Sequence, residues 1–255
     1  MTEDTIEIKR TVKDEADLKE MLAECHRGNS NGRRSNSDDF NHLDIEPVVI
    51  EGKNLRDAEF QFSKLYGVTF LSCTLNSTSF TYAHLTNVTF KGCQAKNKSF
   101  EFGRLETVTF EECIMNNCEF DFASGNAEFI NCQMERCEFP NAEMNLKMTS
   151  CNCEGGEFNG GKFIFSVTDS RMVRTEINES ELSGTFTESV CTNAEINSSV
   201  CNAFELKNCK TNGLEHENTF GFQDESDEKQ LESLFEDDDE EDTEEDSSNG
   251  NDIPF

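Results

Sequence analysis

From Ala58 to Cys209 the large apolar residues fall five positions apart. Phe60, Leu65, Phe70, Leu75, Phe80, Leu85 and Phe90 form one unbroken series, and Phe100, Leu105, Phe110, Met115 and Phe120 continue it, with Ala95 filling the gap. A helix would repeat near 3.6 residues and a plain strand at 2, so neither accounts for the pattern. Two positions before each large residue sits a smaller one: Ala58, Ser63, Val68, Cys73, Thr78, Ala83, Val88 and Cys93. A fixed internal period is the mark of a repeat architecture.

The unit reads small-x-large-x-x. It resembles the pentapeptide-repeat family, whose motif is Ala-Asp/Asn-Leu-x-x, and the likeness covers roughly residues 50–211, about two thirds of the chain. The resemblance implies an all-β solenoid, a right-handed quadrilateral β-helix in which four pentapeptides make one coil. Residues 20 apart should then stack, and Phe60, Phe80, Phe100 and Phe120 do share one face, as Phe70, Phe90 and Phe110 share another. After Phe120 the gaps Phe120–Phe129, Met144–Cys153, Phe163–Met172 and Leu182–Cys191 are each nine residues instead of ten. Placing every slip at the corner between the second and third faces keeps all faces in register, with later coils repeating every 19 residues. Scattered slips would turn core residues outward. The first face then continues through Phe139, Phe158, Ile177 and Ile196, and the third through Phe129, Met148, Val167, Phe186 and Leu206. The expected structural core is Phe60, Phe70, Phe80, Phe90, Phe100, Phe110, Phe120, Phe129, Phe139 and Phe158. About eight coils at ~4.8 Å predict a rod ~36–40 Å long.

Outside the repeats the chain divides further. Residues 1–26 hold a short amphipathic helix over 14–25, with Ala16, Leu18, Met21, Leu22 and Cys25 near one face. Residues 27–42 read as a flexible polar linker carrying Arg33-Arg34. The rod with its end caps occupies 43–222, with 43–50 covering one end and Leu214, Phe220 and Phe222 the other, since an end coil has no neighbour to bury it. Residues 223–255 form an acidic tail, almost unbroken Asp and Glu from 236 to 246, whose self-repulsion and lack of apolar residues predict disorder.

Charge and chemistry narrow the function. The net charge of −30 splits into −5 for 1–46, −10 for 47–220 and −15 for 221–255. So acidic a chain is not expected to bind nucleic acid directly, and suits proteins with basic surfaces instead. No apolar run is long enough for a membrane span, residues 1–10 lack the hydrophobic stretch of a secretion signal, and 12 Cys then point to a reducing, cytoplasmic setting with free thiols. Cys73, Cys93, Cys113, Cys132 and Cys151 align at the small position of one face, Cys209 rejoins them, and Cys118 and Cys137 do the same on the first face. Packing explains them better than disulfides or metal, as no Cys-x-x-Cys occurs. His26, His42, His84 and His216 are scattered. With no phosphate loop, metal-spaced His pair or nucleophile elbow, no enzyme, catalytic residue, metal or cofactor is expected.

The last residues carry the sharpest signal. An acidic run that includes Asp237, Asp238 and Asp239, followed by a terminal Asp252-Ile253-Pro254-Phe255, resembles the tail of bacterial single-stranded-DNA-binding proteins. The resemblance implies a docking peptide for replication, recombination and repair proteins, in a phage or bacterial setting. A terminal Phe can enter an apolar pocket while its carboxylate meets a basic group, and the acidic run steers the tail. No oligonucleotide-binding barrel accompanies it. The rod offers the alternative. Several pentapeptide-repeat proteins resemble duplex DNA in width and negative charge and occupy the DNA-binding saddle of DNA gyrase, and many pair tail to tail, implying a homodimer. Here Glu119, Glu128, Glu138, Glu157, Glu176 and Glu195 precede core positions and so face solvent, whereas Lys91, Lys96, Lys98 and Arg104 are expected to interrupt that acidic surface. A structural protein with an unidentified partner is the third reading.

Overall fold

A five-residue unit can turn a corner only if one residue in each unit takes a left-handed backbone, and the computed structural model has this in every coil. It describes residues 10–13, 16–17 and 40–224. The linker as far as Asp39, the tail from 225 onward with Asp237–Asp239 and Asp252–Phe255, and all of the expected helix except Ala16 and Asp17 lie outside the described residues; those two are helical. At the Phe80 corner the Ala83 N–H donates to the Phe80 carbonyl (2.9 Å), closing a four-residue turn whose third residue, Tyr82, has φ 58°. The Tyr82 N–H instead donates to the Glu101 carbonyl of the next coil (2.9 Å). The corner thus turns the chain and ties two coils together.

Every pairing between strands is parallel among the described residues. The result is an all-β parallel solenoid of about nine turns. Phe70 faces Phe90 and Phe90 faces Phe110, 20 residues apart; then Phe110 faces Phe129 and Phe129 faces Met148, 19 apart. The shift falls between Gly125 and Ala127, at the corner between the second and third faces. That corner is turned by Gly67, Asn87 and Thr107, with φ of 62°, 53° and 58°. In the next four coils it is gone. The strands Ser124–Ile130, Glu143–Thr149, Lys162–Thr168 and Glu181–Thr187 run straight through its place as seven-residue strands spanning both faces. Straightening enlarges the interior there. The position held by Val68, Val88 and Val108 is taken by Leu146 and Phe165, both buried. Gly184 lies in register between Phe165 and Phe204, and both rings fill the space it leaves, meeting 6.3 Å apart. A Cβ on Gly184 would sit 1.9 Å from the Phe165 carbonyl oxygen. The corner returns at Ala203 (φ 57°), where the register shifts back.

The core is two columns of phenyl rings at right angles. Phe60, Phe80, Phe100, Phe120, Phe139 and Phe158 stack on the first face with centroids 4.4–5.5 Å apart. Phe70, Phe90, Phe110 and Phe129 stack on the third at 4.8–4.9 Å. Neighbouring columns meet edge to face, as Phe100 and Phe110 do at 5.7 Å and 86°, the arrangement that ring quadrupoles favour. All ten are buried.

The ends differ from expectation. Residues 43–50 are no cap: Asp44 pairs with Lys64 and Ile50 with Phe70, as in any other coil. The five-residue period already starts at Phe40, Ile45, Ile50 and Leu55, all buried. The strand Arg10–Val12 lies over this coil with Val12 opposite Ile45. At the other end Phe220–Asp224 pairs with Val200–Lys207, but Phe220 is 74% exposed and does not cover the coil; Leu214 is the half-buried residue packed on the core. Among the described residues no helix is long and apolar enough to cross a membrane.

Phe110 is enclosed by Phe90, Phe100 and Phe129. Phe110→Ala should lower stability by ~3–5 kcal/mol in denaturant unfolding, the usual cost of emptying a phenyl site. A loss below ~1 kcal/mol would contradict the stacking described.

Candidate protein-binding surface

The interior is committed to packing. All 11 described Cys are free thiols. Cys73, Cys93, Cys113, Cys132 and Cys151 each donate an S–H bond to a carbonyl of the preceding coil, those of Ile50, Phe70, Phe90, Phe110 and Phe129, at 3.1–3.3 Å. Ser63, Thr78 and Ser180 do the same with hydroxyls. The small position is thus a donor site, and Cys fills it as a slightly larger Ser. Burial pushes the Cys201 thiol up to about 11 and Cys153 higher still, the opposite of a reactive thiolate. Among the described residues no three His, Cys, Asp or Glu side chains converge as a metal would require.

Lys98 is placed differently from expectation. It stands two positions before Phe100, so it points inward, and it is 1% exposed. Its Nζ has no hydrogen-bond partner and lies 4.4, 4.0 and 4.5 Å from the ring centroids of Phe80, Phe90 and Phe100. Burial lowers its pKa to about 8, against the pull of the neighbouring Cys118, Cys93, Cys113 and Cys73.

Two rows of side chains distinguish the outside. The first is a glutamate column on the first face. Glu119, Glu138, Glu157, Glu176, Glu195 and Glu215 pair in parallel register, one per coil. Five of the rod's cations are engaged elsewhere: Lys91 with Glu111, Arg104 with Glu106, Lys147 with Glu128, Lys162 with Glu181 and Arg174 with Glu154. Glu128 therefore belongs to a different, neutralised face. No ion pair seen among the described residues reaches the column. Like charges directly opposite one another across strands destabilise a sheet by up to ~1 kcal/mol per pair, so nothing in the fold favours this column. At ~4.8 Å per coil it carries about 0.7 of the linear charge of one DNA strand, which has one phosphate per ~3.4 Å.

The second row was not anticipated. His42, Phe62, Tyr82, Phe102 and Phe122 occupy one corner in five successive coils, each with φ of 52–59°. Their rings stack with centroids 4.8–5.1 Å apart and within 10° of coplanar. Tyr82, Phe102 and Phe122 remain 41–49% exposed. The turn itself does not demand aromatics, since Asn141, Gly160 and Ser198 occupy the same corner later. A left-handed backbone costs an L-residue ~1–2 kcal/mol, and each stacked pair returns ~0.5–1.5 kcal/mol. The stack therefore roughly offsets its strain and leaves an exposed apolar edge over. The signal in the sequence was a second aromatic two positions after the first-face phenylalanine.

The straightened corner leaves two shallow depressions of about 390 and 320 Å³, sharing Asn126, Asn145 and Ile164. Their rims hold the Lys162–Glu181 and Lys147–Glu128 pairs.

With this geometry in place, the family described as pentapeptide repeats (8 copies) matches residues 54–92. Residues 54–92 are thus pentapeptide repeats of that family. Among solved structures it is similar to HetL, a pentapeptide repeat protein involved in heterocyst differentiation regulation from the cyanobacterium Nostoc sp. strain PCC 7120, at 10% identity over 78% of this chain and 92% of that one, TM-score 0.35. It is similar to QnrB1, a plasmid-mediated fluoroquinolone resistance protein, at 16% identity over 75% and 97%, TM-score 0.42. It is also similar to the pentapeptide repeat protein Rfr23 from the cyanobacterium Cyanothece 51142, at 9% identity over 78% and 98%, TM-score 0.17. No curated protein matches by sequence.

Lys98 yields a pH test. Its folded pKa of about 8 lies below the unfolded 10.5, so between these values the unfolded chain holds one more proton, and this group's contribution to stability rises with pH. The ionising thiols of the unfolded chain act in the opposite sense, and those away from Lys98 cancel in a comparison with Lys98→Met. That variant should be ~2–3 kcal/mol more stable than the parent at pH 7, with the gain shrinking as pH rises from about 8 to 10.5. A gain independent of pH would show that the amine is not desolvated as described.

Proposed function

We propose that this protein is a non-enzymatic binding rod whose acidic first face occupies a basic, DNA-binding surface of another protein. The observation that carries this is the unpaired glutamate column from Glu119 to Glu215. It is in register, half-exposed to exposed, left without cations and costly to the fold. A stripe of this kind attracts a cationic groove from a distance and holds it at the spacing of the coils. The pentapeptide-repeat resemblance supplies the class of partner, a topoisomerase such as DNA gyrase, with the rod standing in for a DNA segment.

A second reading belongs to the tail. Its support is the sequence alone: an acidic run with Asp237, Asp238 and Asp239 ahead of the terminal Asp252-Ile253-Pro254-Phe255. On this reading the tail docks on replication, recombination or repair proteins, with Phe255 and its carboxylate as the anchor. The two readings are compatible in one chain, the rod acting as the body and the tail as a tether that raises the local concentration.

Calorimetry against purified gyrase separates them. Glu157→Gln/Glu176→Gln/Glu195→Gln should bind at least ten-fold more weakly, with a flatter salt dependence and a melting temperature equal to or above the parent's, because a like-charge column is removed. A chain ending at Asn251 should bind gyrase as the parent does. If the truncated chain fails and the glutamate variant binds normally, the tail is the binding element and the rod reading falls.

A further inference from the structure

The aromatic corner runs about 20 Å along the rod, from His42 to Phe122. It ends where the glutamate column starts: Phe122 is flanked by Glu119 and Asp121 on the first face. The two rows therefore run side by side, three positions apart in the coil, with the aromatic corner along the early coils and the carboxylates along the later ones, and they meet at Glu119 and Phe122. On its other side the ridge is bordered by Lys64, His84 and Arg104, paired in register on the second face. His84 is held below the ordinary histidine range by burial and then by Arg104 and Lys64, so the border's positive charge comes from Lys64 and from an Arg104 already paired with Glu106. The ridge thus has an acidic side, with Glu101 and Asp121, and a cationic side.

We infer that this ridge is a second contact element, which inserts into an apolar cleft of a partner protein lying beside that partner's basic surface. The inference rests on the rod reading above and adds where and how the partner is gripped. Shape and chemistry select this occupant. Within the stack each ring face is covered by the next ring, so edges point outward along the ridge and nucleic-acid bases find no face to stack on except at its end. On the acidic side Glu101 and Asp121 repel phosphates as well. A second copy of the chain would meet convex ridge with convex ridge along a line, far short of the roughly 800 Å² per partner that a stable interface needs. A cleft satisfies the ridge where a flat or convex surface does not. Its lips are specified too: cations towards Glu101, Asp121 and Glu119, a carboxylate towards Lys64. The division of labour follows. The glutamates steer and set the association rate; the desolvated ring edges, as buried aromatic anchors, set the dissociation rate.

Asn is the test residue, because Asn141 and Asn218 hold the same corner with φ of 55° and 54°. Tyr82→Asn/Phe102→Asn/Phe122→Asn and the single Phe122→Asn, at the end of the stack, should be measured by surface plasmon resonance against purified gyrase holoenzyme, beside the glutamate variant and with circular dichroism melts of each. The expected result is a dissociation rate at least ten-fold faster for the triple variant and about three-fold faster for the single one. Association rate and salt dependence should match the parent's. Parent-like dissociation in both Asn variants, with the glutamate variant impaired, would overturn the ridge and leave the rod reading intact. If the triple variant melts early, the single variant decides, and parent-like dissociation there overturns the ridge. No binding by the parent chain itself would overturn the rod reading and the ridge with it.

Discussion

In-register hydrogen bonding between coils constrains everything else. A coil is held by parallel pairing to the coil before and after it, and the corner N–H groups, such as Tyr82 to Glu101, carry the same bonding around the turns. Any residue therefore sits directly over its equivalent one coil away, and every side chain becomes a member of a column. Inside, columns of Phe are stabilising because stacked rings match the coil spacing. Outside, the same rule places glutamate on glutamate and aromatic on aromatic. The fold cannot disperse a surface charge once the repeat has set its position, and this is why a modest net charge yields a concentrated acidic stripe.

The constraint also explains how the solenoid tolerates irregularity. Four successive coils omit the same corner residue, so the register is broken once at Gly125–Ala127 and restored once at Ala203. Between them the strands lengthen, the interior admits Leu146 and Phe165, and Gly184 gives up its side chain to let rings from two coils meet. The price is a shallow indentation whose rim carries the Lys162–Glu181 and Lys147–Glu128 ion pairs.

Much of this was legible in the sequence. The five-residue period, the two phenyl columns and the corner where each coil loses a residue all follow from spacing, because inward positions are recorded by size and polarity. Less was legible where a residue's type contradicts its position. Lys98 occupies an inward site by spacing, but its charge suggested the surface; the three rings around its amine are a tertiary fact. The first coil was hidden because Phe40, Ile45, Ile50 and Leu55 keep the period without the small-residue partner at every step. The aromatic corner was hidden because outward positions carry no pattern that spacing alone would flag, and a left-handed phenylalanine is not what local propensity favours.

The central claim is that the outer stripe occupies a surface that otherwise holds DNA. Displacement of a fluorescently labelled duplex from DNA gyrase tests it most directly. The account predicts that the full chain displaces the duplex competitively, with the midpoint moving in proportion to duplex concentration and weakening as salt rises. A stable ternary complex of chain, gyrase and duplex, with neither ligand altering the other's affinity, would contradict it.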